Sequence, residues 1–217
     1  MNETGESANP LDKSGKLAHP KAVMTDPVAS SAGQFSDRVR LCADRISESS
    51  AAALSGLYDL TAERLVRYAA TITRNQHDAE DAVQTALVKV AGQPGLLCGA
   101  QQPWPYLLRM VRNESLVILR RKKRWFLTGN LSDLLTRRLV DQLDQQDRHR
   151  AVWAALRTLP TEQSEVVVLK IWEEMTFAEI GEVLGISPST AASRYRYAIE
   201  KLTQKLSVTA AAEVHGE

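Results

Sequence analysis

Residues 176–202 read TFAEIGEVLGISPSTAASRYRYAIEKL, and this stretch decides the fold of the C-terminal part of the chain. Thr176 and Glu179 have the spacing of a capping box at the start of a helix. Phe177 and Ile180 then begin an apolar stripe at helical spacing. Gly185 follows the stripe at the position where a left-handed C-cap residue is favoured. The stretch therefore predicts a short helix that ends in a tight turn.

A second helix is predicted directly after this turn. Ser187 is a favoured N-cap residue, and Pro188 suits the first helical position because its missing N–H is not needed there. Two helices joined this way form a helix-turn-helix, which places its second helix in the DNA major groove. The alternative is an ordinary helical hairpin with a solvated basic face. We expect six residues of the second helix to face outward: Ser189, Thr190, Ser193, Arg194, Arg196 and Tyr197.

The bulk composition limits the class of protein. The chain has 217 residues, 44% of them hydrophobic, and a formal net charge of only +1, so any contact with nucleic acid must come from local patches. Cys42 and Cys98 lie far apart without nearby metal-ligand spacing, which indicates reduced thiols. Neither a membrane span nor a signal peptide is predicted, so we expect a cytoplasmic protein.

Helical periodicity continues through most of the chain, and no segment has a strand pattern. We therefore predict an all-α protein of two small helical domains joined by a flexible linker, with a short helix from Ser132 to Leu143 inside that linker. An earlier short helix is expected over Phe35–Ile46. The predicted organisation is a largely disordered leader at 1–50, a first domain at 51–124, a linker at 125–147, a helix-turn-helix domain at 148–206 and a tail at 207–217.

The helix predicted from Asp78 to Ala91 has one apolar and one polar face. Its first turn carries Asp78, Glu80 and Asp81, and Gln84 follows one turn later. Carboxylates at a helix N-terminus are stabilised by the helix dipole, and that alone would explain them. The second interpretation is a docking surface for a basic partner protein.

The helix predicted from Trp104 to Arg124 is strongly basic, with seven Lys or Arg residues from Arg109 onward against Glu114 alone. Arg109, Arg112, Asn113 and Arg120 are expected on one side of this helix. Such a row attracts phosphates, and the Asn113 amide can both donate to and accept from a base edge. The alternative is a solvated run of cations that complements the helix C-terminus.

Catalytic patterns are scarce. The four histidines, at positions 19, 77, 149 and 215, are scattered along the chain and form no cluster in the sequence. No Gly-rich phosphate loop, nucleophile elbow or metal-ligand cluster is present in the sequence, so we expect no enzymatic activity, no metal and no cofactor.

Taken together, three segments resemble the small bacterial sigma factors of the sigma-seventy family, of the extracytoplasmic-function (ECF) type. The segments are DAEDAVQTALVKV at 78–90 and YLLRMVRNESLVILRRKKR at 106–124, which resemble region two, and residues 159–202, which resemble region four. Members often carry Val and then Lys or Arg after the position of Thr190, where this chain has Ala191 and Ala192.

The resemblance implies a role for each surface. Asp78, Glu80, Asp81 and Gln84 would dock on the beta-prime subunit of core RNA polymerase, and the first part of region four would meet the beta subunit. The loop at 92–103, with Asn113 and the basic face of Arg109, Arg112 and Arg120, would handle the minus-ten promoter element, and the second helix of region four would read the minus-thirty-five element. Anti-sigma factors are common in the family, and the resemblance leaves open whether one acts here. A helix-turn-helix regulator that binds duplex DNA without polymerase is the competing hypothesis.

Overall fold

The computed structural model describes the backbone of residues 27–46, 50–127 and 147–214, and the side chains of residues 33–46, 51–125 and 152–206. The predicted helix at Ser132–Leu143 and most of the predicted leader and linker lie outside these residues. The described residues contain no strand. Their helices are α1 (Pro27–Ile46), α2 (Ser50–Thr73), α3 (Gln76–Gly92), α4 (Gly95–Cys98), α5 (Pro103–Leu127), α6 (Asp147–Arg157), α7 (Thr161–Ile171), α8 (Phe177–Leu184) and α9 (Pro188–Val214).

Helices α1 to α5 form a first bundle, in which α2 packs against α1, α3 and α5. The predicted apolar stripe of α3 is confirmed, because all six of its residues are buried. Asn75 caps α3 by accepting a hydrogen bond from the backbone N–H of Asp78 at 3.0 Å. The stripe packs against α2 and α5, and it therefore turns the polar face of α3 outward. The stripe consists of Ala79, Ala82, Val83, Ala86, Leu87 and Val90.

Helices α6 to α9 form a second bundle, in which α9 packs against α6, α7 and α8. Both hydrogen bonds of the predicted capping box are present between Thr176 and Glu179. Gly185 has φ 69° and ψ 40°, the left-handed conformation expected of the residue that ends α8. Ser187 accepts a hydrogen bond from the Thr190 N–H at 3.1 Å, so the predicted N-cap of α9 is also confirmed.

Two helical segments differ from the predictions. Helix α1 begins at Pro27 rather than at Phe35, and it packs against α2, α4 and α5 through Val39, Ala43 and Ile46. The spacing of these three residues is helical, but the polar composition around them hides the pattern. Within the loop predicted at 92–103, the short helix α4 forms because Leu97 is fully buried and anchors it.

The two bundles are in contact through α2 with α7 and through α5 with α8. We refer to this contact as the junction; it joins Arg64, Arg67, Tyr68, Arg74 and Arg112 of the first bundle to residues of the second. The sequence predicted two domains but gave no indication that they pack together.

The turn between α8 and α9 requires glycine at position 181. A Cβ atom there would lie 2.7 Å from the backbone oxygen of Ile186, closer than real Cβ contacts, and that oxygen belongs to the turn itself. We expect Gly181→Ala to destabilise the chain by about 1–3 kcal/mol, because overpacking against backbone has no cheap relief. Thermal unfolding measures the loss as a lower Tm.

Gly56→Ala is the matched control for this substitution. Gly56 lies inside α2, and a Cβ there meets no atom within 4 Å. Alanine at that position should stabilise the helix by about 0.5–1 kcal/mol. Equal stability of Gly181→Ala and the wild-type chain would contradict the account of the turn.

Candidate nucleic-acid interface

The predicted outward face of α9 is exposed to solvent in its N-terminal half. Ser189, Thr190, Ser193, Arg196 and Tyr197 are exposed, and Arg194 is half-buried. The opposite face packs on α7 and α8. Because the exposed residues occupy the N-terminal turns of the second helix, they lie where a helix-turn-helix meets base edges.

The two alanines that follow Thr190 have different environments. Ala191 is fully buried and belongs to the core of the second bundle, so it is not a vacant DNA contact. Ala192 is half-buried at the edge of the exposed face. The departure from the family pattern therefore affects a surface position only at Ala192.

The polar groups of this face support one another. The Ser187 hydroxyl lies 2.9 Å from that of Ser189 and 2.8 Å from that of Thr190. The Arg196 guanidinium lies 5.0 Å from the centre of the Tyr197 ring, within the range of a cation–π contact. The face thus combines hydroxyl groups at the helix start with a cation held beside an aromatic ring one to two turns later.

Helix α5 carries a second exposed surface, which we name the α5 stripe: Arg109, Asn113, Val117, Arg120 and Arg124. These positions are spaced by four, four, three and four residues, so they share one side of the helix over about 22 Å. Three of the four predicted minus-ten residues, Arg109, Asn113 and Arg120, lie in this stripe.

The fourth, Arg112, lies outside the stripe and faces the junction. Its Nε atom is 2.7 Å from Oε1 of Glu165 on α7, and the Tyr68 hydroxyl donates to the same oxygen at 3.1 Å. The Glu165 side chain is 2% exposed, whereas that of Arg112 is 19% exposed. The carboxylate is therefore the more buried partner of the pair. Its burial raises the pKa of Glu165, although the hydrogen bond from Arg112 lowers that pKa in part.

A second buried carboxylate closes the junction at the end of α7. Glu173 lies 3.2 Å from Arg64 Nε and 3.3 Å from Arg67, and its side chain is fully buried. Burial raises the pKa of Glu173, and the charges of the two arginines partly offset this rise. Arg74 adds a hydrogen bond to the backbone oxygen of Leu159 at 2.9 Å. This cluster could not be predicted from the sequence, because its partners lie 53 to 108 residues apart and follow no motif.

The acidic residues of α3 divide into two groups. Asp81 and Gln84 are exposed on the outer face of the helix. Asp78 is 8% exposed, and its carboxylate is 2.7 Å from Lys122 Nζ on α5. Glu80 is half-buried and accepts a hydrogen bond from Gln76 Nε2 at 2.7 Å. The structure thus presents two of the four predicted docking residues to solvent and ties the other two to neighbouring groups.

Beside this face, an open groove of about 830 Å³ runs between the two bundles. Residues of α2, α3, α6 and α7 line it, and its walls combine apolar side chains with charged and polar ones. Glu80 and Gln84 stand at its α3 side, so the groove adjoins the acidic surface. Prominent among its lining are Tyr58, Val66, Val83, Trp153, Leu156 and Trp172.

Metal sites and membrane spans are other features that a chain of this kind can carry. Within the described part of the chain, no group of three or more His, Cys, Asp or Glu side chains could hold a metal ion. None of the helices in that part is both long and apolar enough to cross a membrane.

One bundle carries an exposed helix-turn-helix and the other an exposed basic stripe, and this combination is typical of DNA-binding proteins. Family profiles match both bundles: Sigma-70 region 2 matches residues 57–125, and Sigma-70 region 4 matches residues 149–202. The RNA polymerase sigma-E factor of Streptomyces avermitilis is 30% identical over 149 residues, which cover 66% of this chain and 79% of that protein. The sigma factor CarQ of Myxococcus xanthus is 28% identical over 75% of this chain and 94% of its own.

Solved structures show the same fold. The sigma factor RpoE of Bartonella quintana, in complex with the anti-sigma factor NepR, aligns with a TM-score of 0.56 at 22% identity over 70% of this chain and 94% of its own. CnrH, in complex with the cytosolic domain of CnrY, aligns with a TM-score of 0.57 at 21% identity over 79% of this chain and 99% of its own.

The chain belongs to the sigma-70 family of RNA polymerase sigma factors and is of the ECF type. It binds core RNA polymerase and promoter DNA and directs promoter-specific initiation of transcription. Sigma factors of this family are initiation factors rather than catalysts.

Proposed function

We propose that this sigma factor divides its work among three surfaces: α3 docks on core polymerase, the α5 stripe contacts the minus-ten element, and the start of α9 reads the minus-thirty-five element. The observation that carries the proposal is that all three surfaces are exposed on different helices while the apolar sides of those helices are buried. Because the chain acts with polymerase on promoter DNA, we place it in the cytoplasm and assign it no catalytic activity of its own.

For the docking surface, we assign direct contact with the beta-prime subunit to Asp81 and Gln84, with Glu80 at the edge. Asp78 has a supporting role, because its ion pair with Lys122 fixes α3 against α5. The solvated carboxylate of Asp81 is attractive to a basic partner surface and loses little hydration until the partner arrives.

For the minus-ten element, we assign phosphate contacts to Arg109 and Arg120 and a base contact to Asn113. Arg112 joins them only when its pair with Glu165 is broken. For the minus-thirty-five element, the contacts fall to the exposed face of α9, formed by Ser189, Thr190, Ser193, Arg194, Arg196 and Tyr197.

Reading both elements at once requires the junction to open. Two promoter elements centred about 25 base pairs apart are separated by about 85 Å along duplex DNA, at 3.4 Å per pair. A compact chain of this length is only about 45 Å across. The 19 residues at positions 128–146 could span up to about 65 Å when extended, which is enough to let the bundles separate. The closed junction is therefore a resting form, and the promoter-bound form is open.

The groove is open and adjoins the proposed docking surface, which suits a protein partner. The two solved neighbours are complexes with an anti-sigma factor and with the cytosolic domain of CnrY. We propose that an anti-sigma factor of this chain lays the apolar side of a helix into the groove. Trp153, Trp172 and Val66 supply the apolar walls, and occupation beside Glu80 and Gln84 would block the polymerase docking surface.

The docking assignment predicts the effect of Asp81→Ala. We expect it to weaken binding to core polymerase about 5- to 30-fold, because a rim carboxylate that meets a cation contributes about 1–2 kcal/mol. Binding to free promoter DNA should not change. Titration of labelled chain with purified core polymerase gives the dissociation constant.

Asp59→Ala is the control, because Asp59 is an exposed carboxylate on α2 rather than on α3. It changes the net charge equally and should leave the affinity for core at the wild-type value. If Asp81→Ala also bound core with wild-type affinity, α3 would not be the docking surface, and the helix dipole alone would explain its acidic first turn.

A further inference from the structure

The α5 stripe contains one apolar residue among four polar or cationic ones. Val117 is 39% exposed and lies one turn after Asn113 and just under one turn before Arg120. None of the other stripe residues is apolar, and the nearest carboxylate on the helix, Glu114, is held by Lys89 of α3 at 2.6 Å. The stripe is therefore positively charged with an apolar interruption at its centre.

That arrangement matches the chemistry of one base. Cations at both ends of the stripe suit phosphates, and the amide of Asn113 suits the polar edge of a base. Among the base edges, the 5-methyl group of thymine is the apolar group that a small aliphatic side chain can cover. Side chains one helical turn apart lie about 5–6 Å from each other, which is close enough to contact neighbouring nucleotides of one strand.

We propose that Val117 is a specificity residue that packs against the 5-methyl group of a thymine in the minus-ten element, beside the base contacted by Asn113. The inference rests on the proposed function, in which the α5 stripe faces that element. It adds a preference that the polar residues of the stripe do not supply. Covering one methyl group should change the binding or the opening of the promoter about fourfold.

The test uses methyl deletion on the DNA and side-chain truncation on the protein. A promoter is first selected in vitro by the full chain with core polymerase, and each thymine of its minus-ten element is replaced in turn by deoxyuridine. With the wild-type chain, one such replacement should lower the yield of open complex about fourfold. With Val117→Ala, the promoter that contains thymine at this position and the promoter that contains deoxyuridine there should give equal yields of open complex.

Two further variants complete the experiment. Val117→Ile keeps an aliphatic contact and should keep the sensitivity to deoxyuridine. Leu41→Ala removes a comparably exposed apolar side chain from α1 and should behave as the wild-type chain. The variants alter exposed positions, so circular dichroism should show wild-type folding.

Each remaining outcome counts against the inference. A selected minus-ten element without thymine, a wild-type chain that is insensitive to every replacement, or full sensitivity in Val117→Ala would each overturn it. In all three cases promoter-specific transcripts would still form, so the proposed function would stand. Failure of the wild-type chain to give any promoter-specific transcript would instead overturn the proposed function.

Discussion

Replacing Glu165 by alanine is expected to shift the junction toward its open form by about 100-fold. The carboxylate pairs with Arg112 and accepts from the buried Tyr68 hydroxyl, and its loss would leave both groups unpartnered in the closed form. Removing one partner of a buried ion pair costs about 3–5 kcal/mol, and we take the lower end because Arg112 retains some solvent contact. Small-angle scattering should show a larger radius of gyration for this variant than for the wild-type chain.

Glu162→Ala controls for the loss of a negative charge on the same helix. Glu162 is exposed in the first turn of α7, so its removal should leave the radius of gyration unchanged. If Glu165→Ala were folded and as compact as the wild-type chain, the ion pair would not hold the junction.

The pH dependence of the junction gives an independent readout of the same contact. Glu165 faces Arg112 and Tyr68, with Glu162 nearby on its own helix, and burial raises its pKa above the ordinary value of 4.5. A carboxylate whose pKa is raised in the closed form binds protons more tightly there. Protonation of Glu165 therefore adds stability to the closed form below the ordinary pKa, and this addition is lost as the pH rises through the raised pKa. It is separate from the contacts that the carboxylate makes with Arg112 and Tyr68, which Glu165→Ala removes.

Glu173, which faces Arg64 and Arg67 and is followed by Glu174, acts in the same direction. The wild-type chain should therefore become more compact as the pH falls across that window. The change should be smaller in Glu165→Ala, where only Glu173 remains.

Removing the two arginines of α9 together should have the second large effect. We expect the double substitution Arg194→Ala and Arg196→Ala to lower transcription from promoters that need the minus-thirty-five element by about 100-fold. Each arginine that contacts a base or phosphate contributes about 1–3 kcal/mol, and the pair shares one helix face. Run-off transcription under single-round conditions measures the loss.

The matched control removes two cations elsewhere. Arg38→Ala with Arg45→Ala takes the same charge from exposed positions on α1, and it should leave the transcript yield near the wild-type value. An equal loss in both double variants would mean that net charge, rather than the face of α9, governs promoter use.

Local sequence patterns were sufficient to predict most of the fold. The capping box at Thr176, the left-handed Gly185 and the N-cap at Ser187 each depend on residues within one turn of each other, and all three are confirmed. The apolar stripe of α3 was equally predictable from the sequence, because its apolar residues recur at regular helical spacing. Helix α1 and the short α4 were harder, since three or fewer buried residues anchor them within polar or glycine-rich sequence.

Contacts between distant residues were not predictable in the same way. Arg112 shares a basic run with Arg109 and Arg120, and nothing in that run shows that it alone turns toward Glu165. Asp78 has the same position in its motif whether it faces solvent or pairs with Lys122. Both outcomes depend on how helices pack, because a rotation of about 60° around α5 separates a solvent-facing residue from one in the junction.

Transcription with purified core polymerase and a promoter whose two elements are scrambled separately distinguishes a sigma factor from a regulator that binds duplex DNA alone. We expect no specific transcript from core alone and a strong transcript when the chain is added. We also expect a large loss when either element is scrambled, with the minus-ten loss reproduced by Asn113→Ala and the minus-thirty-five loss by the α9 double substitution. If the chain instead bound the intact duplex with full specificity in the absence of polymerase, and gave no specific transcript in its presence, it would be a helix-turn-helix regulator and the account would be contradicted.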